Sequence, residues 1–251
     1  MKHSADNHEA TVVPIAALDV QRCLQDVGCA ANLEQATLLS RHAQLVTEVN
    51  HQFNLTRVTD PEEVLRLHIA DSATALPFVE AATDGVVVDI GSGAGYPGVV
   101  LAILSDRRFV LVESVSKKAN FLRSVVTELK LNAEVLDARA EELALAAPGA
   151  YSCVIARAVS ALPSLVELAS PLLAIGGRLV CMKAKLDVEE LDRGEFAAGQ
   201  CGMRLVESHR FELPGGETRS IVVYERRGRV REKLPRRSGM AQRHPLSRAS
   251  E

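Results

Sequence analysis

Among its 251 residues the chain has no tryptophan, and aromatic residues make up only 4%. Too few rings remain to tile a stacking platform for single-stranded nucleic acid. The five cysteines (Cys23, Cys29, Cys153, Cys181, Cys201) form no C-x-x-C pair and no zinc-ligand spacing. That excludes a disulfide framework and predicts no metal site; scattered, odd-numbered thiols suit a reducing compartment. No secretory leader is read in MKHSADNHEATVVPIAALDV, which lacks a continuous apolar core. The longest apolar stretch, residues 86–104, is interrupted by Asp89, four glycines and Pro97, which argues against a membrane span. A cytoplasmic protein is expected.

What is present is ordinary for a globular core, with 47% hydrophobic and 24% charged residues. The length suits one α/β domain with a terminal subdomain, or two small domains. The net charge of −3 conceals a segregated distribution. From Arg226 onward nine basic residues (Arg226, Arg227, Arg229, Arg231, Lys233, Arg236, Arg237, Arg243 and Arg248) face only Glu232 and Glu251. A basic extension on an acidic body points to a polyanionic partner, although a solvated flexible end accounts for the charge nearly as well.

Up to residue 82 the patterning is helical. Leu38, Leu39, His42, Leu45, Val46 and Val49 recur at helical spacing, and Asp60-Pro61 opens a further amphipathic segment. Short apolar runs then follow at Val86–Ile90, Phe109–Glu113, Ala133–Leu136, Ser152–Ala156 and Arg178–Met182. Helical patterns separate most of them, notably Lys117–Leu131 and Leu162–Leu173, which implies a doubly wound, mostly parallel sheet. Met203–Leu213 and Thr218–Glu225 flank Pro214-Gly215-Gly216 and read as an antiparallel edge hairpin. The expected organisation is a helical cap (1–82), an α/β nucleotide-binding-type domain (83–226) and a basic, flexible tail (227–251).

After the first strand comes Asp89-Ile90-Gly91-Ser92-Gly93-Ala94-Gly95-Tyr96-Pro97-Gly98. From Gly93 this is a literal G-x-G-x-x-G, the dinucleotide fingerprint. Such loops sit beyond the carboxyl ends of the strands and let a ligand approach the backbone. A dinucleotide would put phosphates at the following helix start. Asp89 would oppose them, by on the order of 4 kcal/mol at contact distance if uncompensated. S-adenosylmethionine carries an ammonium and a sulfonium there instead, so Asp89 would attract it. Glu113 ends the next strand, where a ribose would lie, and an acid there serves NAD and S-adenosylmethionine alike. Ala140-Glu141 follows the third strand, where an adenine-binding loop normally lies. A helix-start acid is almost as good a reading of Glu141.

This glycine loop resembles motif I of class I methyltransferases. The ordered set Asn54-Leu55-Thr56, His68-Ile69-Ala70-Asp71-Ser72, the loop, Glu113, Ala140-Glu141-Glu142, Ile155-Ala156-Arg157-Ala158, Met182-Lys183 and Leu234-Pro235-Arg236-Arg237-Ser238-Gly239 resembles one family. That family is the bacterial small-subunit rRNA guanine-N7 methyltransferases, RsmG or GidB. The resemblance implies a Rossmann-like methyltransferase using S-adenosylmethionine on 16S rRNA of the small ribosomal subunit. A monomer is expected, although the sequence does not fix the oligomeric state. It implies cofactor contacts at Gly91, Gly93, Gly95, Tyr96, Ala140, Glu141 and Arg157. The tail Met240–Leu246 departs from the family's usual proline- and lysine-containing end, which leaves its contacts open, and the first fifty residues show little to match.

Guanine N7 already carries a free lone pair, so alignment can supply much of the rate and no general base is required. The sequence has no Pro-Cys pair for carbon-5 cytosine methylation and no Pro-Pro for the amino-nitrogen loop. Arg157 is the candidate for positioning. Asn54, Lys117, Lys118, Arg139, Lys183, Arg236 and Arg237 are candidates for RNA or substrate contacts. His68, Asp71 and Ser72 lie too close on one helix to converge as a catalytic triad; His68 and Asp71 could pair one turn apart. The rivals are an NAD-dependent oxidoreductase and a non-catalytic rRNA-binding factor.

Overall fold

Seven strands, the five apolar runs and the two arms of the hairpin, build a single sheet in a computed structural model that describes residues 15–228, 230 and 232–248. Arg229 and Arg231 of the basic tail lie outside the described residues. The strands are β1 (Val87–Ile90), β2 (Phe109–Glu113), β3 (Ala133–Asp137), β4 (Tyr151–Arg157), β5 (Leu173–Lys183), β6 (Met203–Glu212) and β7 (Thr218–Arg226). Their order is β3-β2-β1-β4-β5-β7-β6. The first five strands run parallel, while β7 pairs antiparallel with both β5 and β6. β1, β2 and the first six residues of β4 are buried throughout, which is why their sequences read as unbroken apolar runs instead of alternating. The chain winds outward from β1 to β3 and then returns to β4 on the other side of β1. The order therefore reverses between β1 and β4, where a doubly wound sheet opens its ligand crevice.

The helical cap packs on one sheet face. Leu39, His42, Leu45 and Val46 of the Leu33–Asn50 helix are buried, with Leu38 and Val49 half-buried beside them. Asn32 and Gln35 close a reciprocal capping box at its start, and the Gln35 amide also donates to the Ile103 carbonyl. Leu24 and Leu39 share one core with Val87, Leu101 and Leu111 of the sheet domain. Each such side chain contributes roughly 1.5–3 kcal/mol of burial. Asp60 caps its helix by accepting from the Glu62 and Glu63 N–H groups at 3.0 Å, with Pro61 at the first position. The chain then continues through a π-helical stretch, Val64–Ala70, into Asp71–Ala73. Wide turns of this kind are rare and recur at functional sites.

The other face is covered by Leu162–Ala169 and Val188–Gln200. The second of these helices is poorly signalled in the sequence, because VEELDRGEFAAGQ carries a central glycine and few apolar residues. Gly194 is there for space: a Cβ would lie 2.5 Å from the Tyr224 hydroxyl and 2.9 Å from Leu162 Cβ.

The described part of the tail differs from the flexible extension expected of it. Arg236 makes a two-pronged ion pair with Glu167, both contacts 2.5 Å, and Glu167 is only 2% exposed. A buried carboxylate needs a cationic partner, so this pair docks the segment. Leu234 and Leu246 pack against the second core and Ala241 is buried in it.

Alanine normally favours a helix over glycine by roughly 0.5–1 kcal/mol. Gly194→Ala should instead lower stability by about 1–3 kcal/mol through overpacking against Tyr224. A thermal melt at or above that of the wild type would contradict this packing.

Candidate functional site

The loop after β1 turns through three glycines in the left-handed region, Gly91, Gly93 and Gly95, at φ of +74°, +57° and +97°. A Cβ on Gly91 would meet Val159 at 2.7 Å, so the loop lies directly against the segment after β4. A Cβ on Gly93 would have only the Gly91 carbonyl near it, at 3.8 Å, which leaves that face open to a ligand.

Two carboxylates hold the loop. Glu113, at the end of β2, accepts from the Gly93 N–H at 2.9 Å and from the Val115 N–H at 2.8 Å. Asp89 accepts from the Gly98 N–H at 3.0 Å, the first residue of the Gly98–Leu104 helix. Asp89 does not present its charge to the crevice as its sequence position suggests. It is fully buried and turned toward the start of that helix, and its second oxygen has no partner among the described residues. Burial pushes its pKa up to about 7, against the opposing effect of nearby Ser92, whose hydroxyl donates to the Asp89 backbone carbonyl, and of the Gly98 N–H.

A second cluster joins the loop to the cap. The Tyr96 ring is stacked on His68 at 4.4 Å between centroids and tilted on His42 at 4.7 Å. Tyr96 is therefore buried between cap and loop, with its ring turned away from solvent. His42 Nε2 lies 2.8 Å from the Ala94 carbonyl, and burial lowers its pKa to about 4. His68 is lowered to about 3, first by burial and then by the adjacent Arg157 charge. Both imidazoles are neutral near pH 7. Thr56 Oγ1 lies 2.8 Å from His68 Nε2.

Arg157, at the end of β4, donates to the Leu67 carbonyl at 2.8 Å and to Asp71 at 3.1 Å, and stands 5.6 Å over the Tyr96 ring. Asp71 binds Arg219 with its other oxygen at 3.1 Å. His68 and Asp71 thus meet through Arg157 and not directly, as their one-turn spacing had suggested. With Lys183 and Lys185, these arginines line a cleft of about 570 Å³ whose apolar wall includes Leu67, Met182 and Phe211. A smaller slot of about 70 Å³ is lined by Gly91, Val159, Ala140, Glu141 and Gln242 among others.

The remaining candidates divide. Arg139 and Ala140 line the slot. Glu141 is buried, and its carboxylate accepts from the Gly239 N–H at 2.7 Å. Lys183 is tied to the Ser160 carbonyl and to Glu190, at 3.1 and 2.8 Å. Lys117 and Arg237 are exposed and Lys118 is half-buried; none forms an ion pair among the described residues. Arg236 is not free, being paired with Glu167. Asn54 is exposed, whereas Asn50 is the residue that shapes the local turn, accepting from Leu55 and Thr56. His42, Thr56, Phe211 and Arg219 also belong to this cluster and are not among the expected site residues. His42 carries a signal as a polar residue within an otherwise apolar helical stripe, and Thr56 carries one through the Asn54-Leu55-Thr56 motif; Phe211 and Arg219 carry none.

The family model for rRNA small subunit methyltransferase G, GidB, matches residues 35–221. The chain belongs to the GidB family. "Ribosomal RNA small subunit methyltransferase G" of Deinococcus radiodurans is 40% identical over 212 residues, covering 82% of this chain and 84% of the relative. The protein of the same name from Rubrobacter xylanophilus is 39% identical over 234 residues, covering 90% and 89%. Among solved structures, the 1,6-didemethyltoxoflavin-N1-methyltransferase of Burkholderia thailandensis, with 1,6-didemethyltoxoflavin and S-adenosylhomocysteine bound, aligns with a TM-score of 0.51 at 16% identity. That alignment covers 79% of this chain and 92% of the other, and establishes a shared fold for the GidB chain.

Asp89 sets a pH signature for this loop. Its folded pKa lies above that of the unfolded chain, so the native state holds a proton that the unfolded chain releases from about pH 4. Its stabilising contribution is complete below pH 4, falls as pH rises to about 7, and levels off above. Asp89→Asn should remove this decline. Urea unfolding of both proteins between pH 4 and 8 measures it; a constant difference across the range would refute the buried-carboxylate assignment.

Proposed function

We propose that this chain transfers a methyl group from S-adenosylmethionine to N7 of a guanine in 16S rRNA of the small ribosomal subunit, in the cytoplasm. The observation that carries the cofactor reading is the occupancy of the loop's donors. A pyrophosphate at this position depends on free backbone N–H groups at the loop and helix start. Here the Gly93 and Gly98 N–H groups are already taken by Glu113 and Asp89. The loop therefore offers few free donors, with the Glu113 carboxylate beneath it, which opposes a dinucleotide. It suits a nucleoside whose other end is an ammonium and a sulfonium.

The residues that would hold the cofactor are the backbone at Gly91, Gly93, Gly95 and Tyr96, with Glu113 toward the ribose. Each Glu113 oxygen keeps a lone pair for a ribose hydroxyl after accepting from the loop. Ala140 and Glu141 would border the adenine. S-adenosylmethionine supplies an electrophilic methyl group, and guanine N7 supplies the attacking lone pair. No proton has to leave before attack, so the chain's work is placement. Arg157 and Arg219, fixed by Asp71, would orient the base in the larger cleft, with Phe211 and Met182 as its apolar wall. Lys117, Lys118, Arg139, Lys185 and Arg237 are the proposed phosphate contacts, at an affinity that falls with salt. Arg236 is withdrawn from that role by its pairing with Glu167.

Purified protein incubated with methyl-labelled S-adenosylmethionine and 30S subunits should label 16S rRNA at N7 of one guanine. Label at an amino nitrogen or ring carbon would overturn the N7 assignment. RNA binding with no transfer at all would favour the non-catalytic reading.

A further inference from the structure

We infer that the C-terminal segment, residues 234–246, is a wall of the cofactor crevice, and that Gln242 contacts the nucleoside base bound there. This rests on the S-adenosylmethionine reading of the site. The slot beside Gly91 is small, about 70 Å³, and Ile90, Val112, Val159 and Leu168 give it an apolar lining of the kind a nucleobase face packs on. Four polar side chains line it: Ser114, Arg139, Glu141 and Gln242. Arg139 can only donate. An ionised Glu141 can only accept, and one of its oxygens is already engaged by the tail's Gly239 N–H. Gln242 brings the one side-chain amide to the slot, with a donor and an acceptor side by side. Adenine presents the complementary pair, an acceptor ring nitrogen next to an exocyclic amino donor.

The segment is fixed in this place by several independent contacts. Arg236 clamps buried Glu167 and also donates to the His244 carbonyl at 2.7 Å. Gly239, at φ +78°, starts the short Met240–Arg243 helix and delivers its N–H to Glu141. Ala241 is 2% exposed and anchors that helix next to Gln242. The basic tail thus belongs to the site at its cofactor end, and Glu141, far from being free for adenine alone, is the post to which the tail is tied.

Calorimetric titration of S-adenosylhomocysteine into full-length wild type, Gln242→Ala and Arg236→Ala tests this. Loss of Gln242's hydrogen bonding should weaken binding about fivefold, and Arg236→Ala, which releases the segment, should weaken it about tenfold or more. Gln242 is exposed, so its variant should keep the wild-type melting temperature, and its result decides the matter even if Arg236→Ala folds poorly. Backbone amide exchange across 234–246 should slow when S-adenosylhomocysteine is bound. Unchanged affinity in Gln242→Ala would overturn the inference, as would tighter binding, which would make the segment an obstruction. If wild type binds no S-adenosylhomocysteine, the cofactor reading itself falls and this inference with it.

Discussion

Two carboxylates beneath a glycine turn govern this structure's use of its fold. Helix starts and glycine loops in doubly wound sheets leave N–H groups pointing outward, and that makes them anion sites by default. Here Glu113 and Asp89 consume those donors from the protein side. The strand order, the crevice at its reversal and the glycines are common to several ligand classes. On the reading proposed above, the identity and reach of these two acids are what would turn the crevice away from phosphate. Asp89 does this at a cost visible in its raised pKa, since it is buried with one oxygen unpartnered. A buried carboxylate so poorly compensated is a strained arrangement of the kind kept at functional sites.

The rest of the site is tied to that turn. Tyr96 leaves the loop and is packed between His42 and His68 of the cap. His68 and Leu67 reach Arg157 at the end of β4, and Asp71 joins Arg157 to Arg219 on β7. A continuous chain of stacked rings and charge-assisted bonds therefore links cap, loop, central strand and edge hairpin. The cap is part of the same core as the sheet, so it sets the position of the cleft beside Arg157 and does not merely shield it. For a reaction that rests on alignment, such rigidity is the useful property.

Much of this was legible before any coordinates. Fully buried strands announce themselves as apolar runs, and Asp60-Pro61 announces a helix start, because local chemistry decides those features alone. The glycine loop and its flanking acids are legible as a tight turn at the end of the first strand for the same reason. The direction of a carboxylate was not: Asp89 could face a ligand or its own helix, and only the close packing of Gly98 on it decides. Long-range partners were equally hidden. Arg236 reads as a free basic residue in a charged tail until Glu167, distant in sequence, is seen to need it. Gly194 hid a helix, because the reason for the glycine is the hydroxyl of Tyr224 on another element. Asn54 attracted notice through the family pattern, while Asn50 makes the turn.

The central claim, that the loop's donors are engaged by Glu113 and Asp89 before any ligand arrives, is tested most directly by residue-resolved amide hydrogen exchange of the unliganded protein. The account predicts slow exchange at Gly93, Gly98 and Val115. It further predicts that protection is lost at Gly93 and Val115 in Glu113→Ala, and at Gly98 in Asp89→Ala. Fast exchange at these amides in the wild type, with slowing on addition of a dinucleotide or pyrophosphate, would contradict it.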